Sequence, residues 1–159
     1  MAIDIRAVPV ERILPLRHAI LRPELPAAAA RFDCDDTPDT VHFAAQAGDR
    51  LAGCATLCRE PFDGEPAWRL RGMAVAADAQ SGGVGRLLLT ALDHHVTANG
   101  PPHTLWCNAR LPAVGFYERC GWAVVSDVFD IPTAGPHRRM TRRLEISPTG
   151  PTVAAPRRS

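Results

Sequence analysis

Three glycines within four positions form the stretch whose spacing most clearly indicates chemistry. They follow a segment of strand type and open an amphipathic helix. The first turn of a helix has unpaired backbone N–H groups and the positive end of the helix dipole, and glycines let an anion approach them. The stretch therefore predicts a phosphate-binding loop, with a tight turn that binds nothing as the alternative. The loop consists of Gln80, Ser81, Gly82, Gly83, Val84, Gly85 and Arg86.

The same spacing disfavours two well-known phosphate-binding loops. A dinucleotide-binding loop needs G-x-G-x-x-G, which the three glycines do not provide. A Walker A loop, which binds nucleoside triphosphates, needs Gly-Lys-Ser/Thr, whereas Arg86 and Leu87 follow the last glycine here. A phosphotransfer enzyme such as a kinase is thus a weaker interpretation.

Hydrophobic periodicity and turn residues predict the elements that position this loop. The expected order is strand, helix, a short second helical stretch, three antiparallel strands, helix, strand, helix, strand and strand. The predicted ranges are 3–8, 10–22, 27–32, 40–47, 51–59, 68–75, 84–98, 103–108, 112–120, 122–131 and 137–146. Asn99-Gly100 before two prolines is a strong signal for the end of the central helix.

The loop matches Q/R-x-x-G-x-G/A through Gln80, Gly83 and Gly85, and so resembles the pyrophosphate-binding signature of the GNAT superfamily of acyl-CoA-dependent N-acetyltransferases. Asn108 and the segment GFYERCGW at 115–122 resemble the family as well. The resemblance covers residues 3–146. It implies an α+β (α/β) GNAT fold, with a central mixed, mostly antiparallel sheet of about seven strands flanked by about four helices.

The resemblance also implies acetyl-CoA as co-substrate and assigns residues to it. The loop would hold the pyrophosphate, with a charge-assisted contact from Arg86 if its side chain turns inward. The pantetheine arm would lie beside the preceding strand and bond to its backbone, whose N–H groups would polarise the thioester oxygen. Asn108 has a strand-end cap as its equal alternative. The remaining cofactor contacts implied are Met73, Ala74, Val75 and Phe116.

Two residues are candidates for proton transfer. Tyr117, the single tyrosine of the chain, corresponds to the family's usual general acid, and a phenol can protonate a departing thiolate. Its alternative role is a buried aromatic. His137 is the best candidate for the general base, followed by Glu60 and Asp130, although a lone histidine is more often structural.

Length and composition restrict the remaining interpretations. With 159 residues and a net charge of +1, the chain predicts one domain over 1–146 and no nucleic-acid or membrane partner. We expect a cytoplasmic protein whose five scattered cysteines are reduced, and no metal site. The proline-rich residues 147–159 predict a disordered tail.

These observations favour an acetyl-CoA-dependent N-acetyltransferase that acts on a primary amine of a small molecule or a protein, with a homodimer left open. The alternative is a non-catalytic acyl-CoA-binding or sensing module on the same fold. The acidic run between the first helix and the second strand either attracts a cationic amine or is merely solvated. It contains Asp33, Asp35, Asp36 and Asp39.

Overall fold

One mixed sheet of eight strands forms the centre of the structure, a computed structural model that describes residues 2–145. The strands are β1 (Asp4–Val8), β2 (Val41–Ala47), β3 (Arg50–Arg59), β4 (Trp68–Val75), β5 (Thr104–Arg110), β6 (Ala123–Val124), β7 (Phe129–Ile131) and β8 (Gly135–Arg143). Their order is β1-β2-β3-β4-β5-β8-β6, and β7 also pairs with β8. Strands β4 and β5 run parallel, whereas the other strand pairs of the described residues are antiparallel.

Three α-helices flank the sheet where about four helices were predicted. They are α1 (Leu14–Leu21), α2 (Val84–Ala98) and α3 (Val114–Arg119). The stretch predicted as a further helix over 27–32 forms only a 3₁₀ turn, Ala27–Ala30, and Arg31 after it is extended. Four residues after a proline do not repay the cost of nucleating an α-helix. None of the described helices is both long and apolar enough to cross a membrane.

Other boundaries differ from the prediction for local reasons. The helix predicted over 10–22 is split into the 3₁₀ turn Val10–Arg12 and α1, with Pro15 in the first turn of α1, where a missing N–H costs little. The strand predicted over 122–131 is divided into β6 and β7. Between them the Ser126 hydroxyl accepts the Arg139 N–H at 2.8 Å, which replaces a strand carbonyl and interrupts the ladder. The predicted tail over 147–159, and Ile146 before it, lie outside the described residues.

A row of small side chains lets α1 pack closely on one face of the sheet. Ala44, Cys54 and Ala74 are in register across β2, β3 and β4 and are nearly or fully buried. They form one hydrophobic cluster with Ile13, which is fully buried beside α1. Burial of such a side chain stabilises the fold by about 1.5–3 kcal/mol. Helices α2 and α3 contribute to the larger cluster on the opposite face.

The parallel pair β4–β5 is short, and this shortness creates the space for a site. Pairing is confined to Trp68 with Leu105 and Arg69 with Trp106. On its other side β5 pairs with β8 along its whole length. Beyond Arg69 the two parallel strands therefore separate and leave a gap inside the sheet.

Candidate active site

A cavity of about 290 Å³ lies in the gap between β4 and β5. Four predicted site residues from four different elements line it: Met73 of β4, Asn108 of β5, Tyr117 of α3 and His137 of β8. The end of α1 and the loop between β7 and β8 close further sides through Leu21, Ile131 and Ala134. The fold thus assembles candidate residues that are far apart in the sequence.

The backbone of β4 presents hydrogen-bonding groups to this gap. Peptide groups of a strand alternate in direction, and the Ala76 N–H donates to Ala52 O of β3 at 2.8 Å. The N–H of Ala74 therefore also points toward β3, which does not favour its predicted contact with the cofactor. The N–H of Val75 points the other way, into the gap, as its predicted role requires. Beside Met73 the register between β3 and β4 shifts, so this alternation does not extend to the Met73 N–H, and its contact stays a prediction.

Gln80 connects the glycine loop to the end of this strand. Its side-chain Nε2 donates to the Val75 carbonyl at 3.1 Å. Because that carbonyl points into the gap, no strand partner satisfies it, and the Gln80 amide does so instead. The glutamine of the motif therefore positions the loop through a contact within the protein.

The glycine loop leads directly into α2. Gly83 caps the helix with φ 81°, a conformation that favours glycine, and Val84 then turns its side chain into the main core. The first backbone bond of the helix runs from the Leu87 N–H to Gly83 O at 3.1 Å. The N–H groups of Val84, Gly85 and Arg86 precede that bond and remain available to an anion. Ser81, Gly82 and the Arg86 side chain are exposed around them.

Phe116 packs against the first turn of α2. A Cβ at Gly85 would lie 2.9 Å from Phe116 Cζ, so this glycine is required by the protein's own packing. Phe116 also meets Tyr117 edge-on, with ring centroids 5.4 Å apart. The ring thus fixes α3 relative to the glycine loop, and its contact with the cofactor stays a prediction.

Tyr117 is buried but reaches the cavity. Its ring packs edge-on against Trp122 as well as against Phe116, with ring centroids 5.4 Å apart in each pair. Burial raises its pKa well above the ordinary value, and the neighbouring Cys107 and Cys120 act in the same direction. The phenol is therefore protonated at neutral pH, which is the form a general acid needs.

Asn108 lines the cavity and does not act as a free amide. Its Oδ1 accepts a hydrogen bond from Arg139 Nε at 3.1 Å, and the Arg139 guanidinium lies 5.0 Å from the centroid of Trp106. The Nδ2 group remains as a donor. Asn108 lies within β5, which continues to Arg110, so the predicted strand-end cap is wrong, and the contact of Asn108 with the pantetheine arm stays a prediction.

His137 is oriented by its own turn. Its Nδ1 lies 2.7 Å from the Gly135 carbonyl oxygen, and its ring stacks on Phe129 with centroids 6.1 Å apart. A carbonyl oxygen can only accept, so Nδ1 carries the proton. Nε2 of the neutral ring is then the free acceptor, which is what a general base requires.

The two other candidate bases are not in this position. Glu60 forms a salt bridge with Arg69, with oxygens 3.1 and 3.2 Å from Arg69 Nη1. Neither Glu60 nor Asp130 is among the residues that line the cavity. The geometry therefore favours His137.

A buried polar cluster holds the segment between α1 and β2 against the sheet. The Arg17 guanidinium donates to both Asp35 carboxylate oxygens, at 2.8 and 3.1 Å, and to Thr56 Oγ1 at 2.6 Å. His42 bridges Thr56 Oγ1 and the Asp35 carbonyl, at 2.8 and 3.0 Å. All four residues are buried. Asp35 therefore has a structural role and is not available to attract an amine.

The cluster places Phe32 at the edge of the cavity. Arg17 Cζ lies 3.9 Å from the centroid of Phe32 on one side, and the ring presses against β4 at Gly72. Gly72 has φ +63°, and a Cβ there would lie only 2.7 Å from Phe32 Cε2. A glycine within a strand often marks a close approach, and this signal could have indicated the contact from the sequence.

Sequence reasoning missed the basic residues of the site. Four arginines line the cavity, and no Asp or Glu of the described chain does. Two of them alternate in the predicted β4 on the face opposite Trp68 and Leu70, which was the available signal. The four are Arg22, Arg69, Arg71 and Arg110.

A family model described as "Acetyltransferase (GNAT) family" matches residues 10–122, which is more than half of the chain. This chain belongs to the GNAT acetyltransferase family. It is 29% identical over 148 residues to the uncharacterized N-acetyltransferase YitI of Bacillus subtilis (strain 168), covering 91% of this chain and 99% of that protein. The family match and this relative identify it as an acetyl-CoA-dependent N-acetyltransferase.

Solved structures show the same fold. Escherichia coli ElaA superposes with a TM-score of 0.75 at 21% identity, covering 89% of this acetyltransferase and all of that chain. An aminoglycoside 6'-N-acetyltransferase complexed with coenzyme A superposes with a TM-score of 0.68 at 18% identity, covering 93% and 99%. The predicted GNAT fold, its mixed sheet and the predicted enzyme class are thus confirmed. Among residues 2–145 no group of three His, Cys, Asp or Glu side chains could hold a metal ion.

Proposed function

We propose that this acetyltransferase acetylates the primary amine of a small molecule, with Tyr117 as general acid and His137 as general base. The observation that carries the proposal is that one cavity in the β4–β5 gap is lined by Tyr117 from α3 and by His137 from β8. The two residues approach that cavity from different layers of the fold. A group that accepts the proton of the amine and a group that donates a proton to the departing thiolate can thus act in the same cavity.

The chain's own groups fit acetyl-CoA, which supplies the acetyl group as a thioester. The N–H groups at the start of α2 would hold the pyrophosphate, and Gln80 keeps the loop at the end of β4. The N–H of Val75, which points into the gap, and the N–H of Met73 would bond to the pantetheine arm. They are also fixed donors that stabilise the negative charge developing on the thioester oxygen.

His137 would make the acceptor nucleophilic. A lysine-like amine is mostly protonated at neutral pH, so a proton must leave before attack. Nε2 of His137 accepts that proton directly or through a water molecule, while the Gly135 carbonyl stabilises the Nδ1–H tautomer.

Tyr117 would protonate the departing thiolate. Burial raises the pKa of the phenol, but it acts on any thiolate in the same surroundings as well. Cys107, which also lines the cavity, shows this effect, because burial raises the pKa of its thiol to about 12. Burial would raise the pKa of a coenzyme A thiol bound beside Tyr117 in the same direction, so the phenol could still pass its proton to the leaving sulfur.

The size of the cavity supports a small acceptor. Its volume of about 290 Å³ is at the lower end of the range for small-molecule sites, and parts of α1, Phe32 and the β7–β8 loop line it. An amine on a compact molecule can enter such a space without displacing these walls.

The test is thiol release from acetyl-CoA with a panel of primary amines. Tyr117→Phe should lower kcat about 100-fold to 10,000-fold and leave the KM for acetyl-CoA nearly unchanged, because general acid catalysis acts in the transition state. His137→Ala should also lower kcat, and added imidazole should restore part of it. Melting temperatures of both variants verify that the packing around the site persists.

Two results would contradict the proposal. Turnover of Tyr117→Phe near the wild-type rate would show that the phenol is only a packing residue. Binding of acetyl-CoA without thiol release in the presence of any amine would favour the non-catalytic binding module instead.

A further inference from the structure

We infer that the acceptor amine also carries an anionic group, a carboxylate or a phosphate, which Arg71, Arg22 and Arg110 bind at the side of the cavity nearest α1. The inference rests on the proposed function, because it concerns the substrate of the same site. It makes these three arginines determinants of specificity and assigns them no role in bond making.

Positive charge in this cavity is balanced only in part by the protein. Arg71 lies beside the Cys34 thiol, and the hydrogen bond with Cys58, followed by the charge of Arg71, lowers the pKa of that thiol to about 6. Arg69 is paired with Glu60 at 3.1 Å, but the other three arginines form no salt bridge within the described residues. Arg22 Nη1 donates to Ala29 O at 2.7 Å, and Arg110 Nη2 donates to Leu21 O at 2.7 Å. Those partners are neutral carbonyls, so both hydrogen bonds orient the guanidinium groups and leave their charge in place.

Keeping these cations together costs free energy. Burial lowers the pKa of Arg22, and the charges of Arg71, Arg110 and Arg17 lower it further. Like charges around a cavity destabilise the fold unless an anion offsets them. A guanidinium also has a planar pair of donors that matches a carboxylate or a phosphate.

The arginines are held in place before any ligand binds. Arg71 Cζ and Arg22 Cζ lie 4.3 and 5.5 Å from the centroid of Phe32, so one ring supports both. Phe32 itself is fixed by Arg17, whose guanidinium is bound to Asp35. Donors that are already ordered lose little conformational entropy when they bind an anion.

These arginines do not belong to the phosphate-binding loop. No residue of 76–86 is among the described residues that line the cavity. Arg22 follows α1 and Phe32 lies between α1 and β2, whereas the loop leads into α2 on the opposite face of the sheet. The anion-binding region proposed for the cavity is therefore separate from the loop at the start of α2.

The test compares acceptors of equal chain length in the thiol-release assay. The panel contains ω-amino carboxylates of two to six carbons, 2-aminoethyl phosphate, and the matching n-alkylamines and diamines. At least one anionic amine should exceed its neutral and dicationic counterparts in kcat/KM by about tenfold or more, as expected for hydrogen bonds to a charged group. The carboxylate and phosphate members show which anion fits.

Variants then assign the effect to residues. Arg71→Gln and Arg22→Gln should each raise the KM for the anionic acceptor about tenfold and leave the KM for acetyl-CoA unchanged. Arg71→Lys retains the charge but not the paired donors, so its KM for the anionic acceptor should lie between those of wild type and Arg71→Gln. A partial effect of this kind also distinguishes lost binding from a folding defect. Arg12→Gln, an exposed arginine that does not line the cavity, is the matched control and should have no effect.

Calorimetric titration of the same panel into protein saturated with CoA measures acceptor binding without turnover and with the glycine loop occupied. Equal or faster thiol release with n-alkylamines and diamines would overturn the inference and leave the proposed function intact. Absence of thiol release with every amine of the panel would overturn the proposed function. In that case weaker binding of anionic amines to Arg71→Gln than to wild type supports the inference, and equal binding overturns it.

Discussion

The two regions of the site recognise ligands by different means. At the start of α2 and along β4, the available donors are backbone N–H groups of a loop and a strand. Near the end of α1, the donors are side chains of Arg22, which follows α1, of Arg71 in β4 and of Arg110 in β5. A backbone site needs glycines at fixed spacing, so it is visible in a sequence. A side-chain site needs only arginines that the fold brings together, so it is not.

The regions also differ in how they are held. The glycine loop is secured by ordinary core packing of Val84 and by the single Gln80 side-chain bond to β4. The region near α1 depends on a charged pair that is fully buried, Arg17 with Asp35. If this difference is correct, substitution of the buried Arg17–Asp35 pair should change the free energy of unfolding, and substitution in the glycine loop should change cofactor binding.

The largest effect is expected for Asp35→Ala. It leaves the buried Arg17 charge without its carboxylate, which typically costs about 3–5 kcal/mol of unfolding free energy. Denaturant titration measures the loss. Asp36→Ala is the matched control, because the Asp36 side chain lies in the same 3₁₀ turn and is 79% exposed, and it should change stability by less than about 0.5 kcal/mol. Equal stabilities of the two variants would contradict the structural role of Asp35.

The pH dependence of the same pair has a defined sign. Burial alone would raise the pKa of Asp35, but the hydrogen bonds from Arg17 and from the Phe32 N–H outweigh it and hold the pKa below the ordinary value. The stabilisation is therefore complete above the unfolded value of about 4 and is lost as pH falls through the folded pKa.

A smaller and purely functional effect is expected for Gly82→Val. A Cβ at this position would lie 3.5 Å from Ala79 O, an ordinary contact, and its φ is not in the left-handed region, so the fold should persist. The added side chain would obstruct the approach of a pyrophosphate to the α2 N–H groups, raising the KM for acetyl-CoA about tenfold or more. The KM for the acceptor should be unchanged. Gly85→Val is a poorer test, because it also displaces Phe116.

The smallest effect is expected from alkaline pH. Because burial raises the pKa of Tyr117 well above its ordinary value, the phenol keeps its proton through the alkaline range. The kcat of the wild-type protein should therefore show no decrease between pH 7 and about pH 9.5, within the range in which circular dichroism shows an unchanged fold. A decrease centred below pH 9 that Tyr117→Phe lacks would mean that the phenol is not protected by burial.

The fold was largely predictable because its signals are local. Strand β4 was predicted to the residue, since Trp68–Val75 is bounded by a turn on one side and the glycine loop on the other. The predicted hairpin corresponds to β2 and β3 for the same reason. The division of 122–131 was not predictable, because it depends on Ser126 bonding to a strand that lies later in the chain.

The predictability of the site residues depends on the same difference between local signals and contacts that are distant in the sequence. Tyr117, His137, Met73 and Asn108 were proposed from position in the sequence and lie around one cavity. The Arg17–Asp35 pair joins residues 18 positions apart through side-chain bonds, and no spacing rule indicates such a contact. The acidic run pointed to solvent or to a cationic amine, yet its buried member stabilises the wall of a basic cavity.

The gap between β4 and β5 has a consequence for how the enzyme responds to its cofactor. A sheet normally satisfies the backbone groups of its inner strands, but β4 pairs with β5 only at Trp68 and Arg69 and leaves the backbone of Val75 facing an open gap. An extended arm that bonds to this backbone would complete the sheet much as an added strand does. The bound cofactor would then join β4 to the rest of the sheet. Because a ligand that binds only the folded state stabilises it in proportion to the logarithm of the ligand concentration, the free energy of unfolding should rise with cofactor concentration.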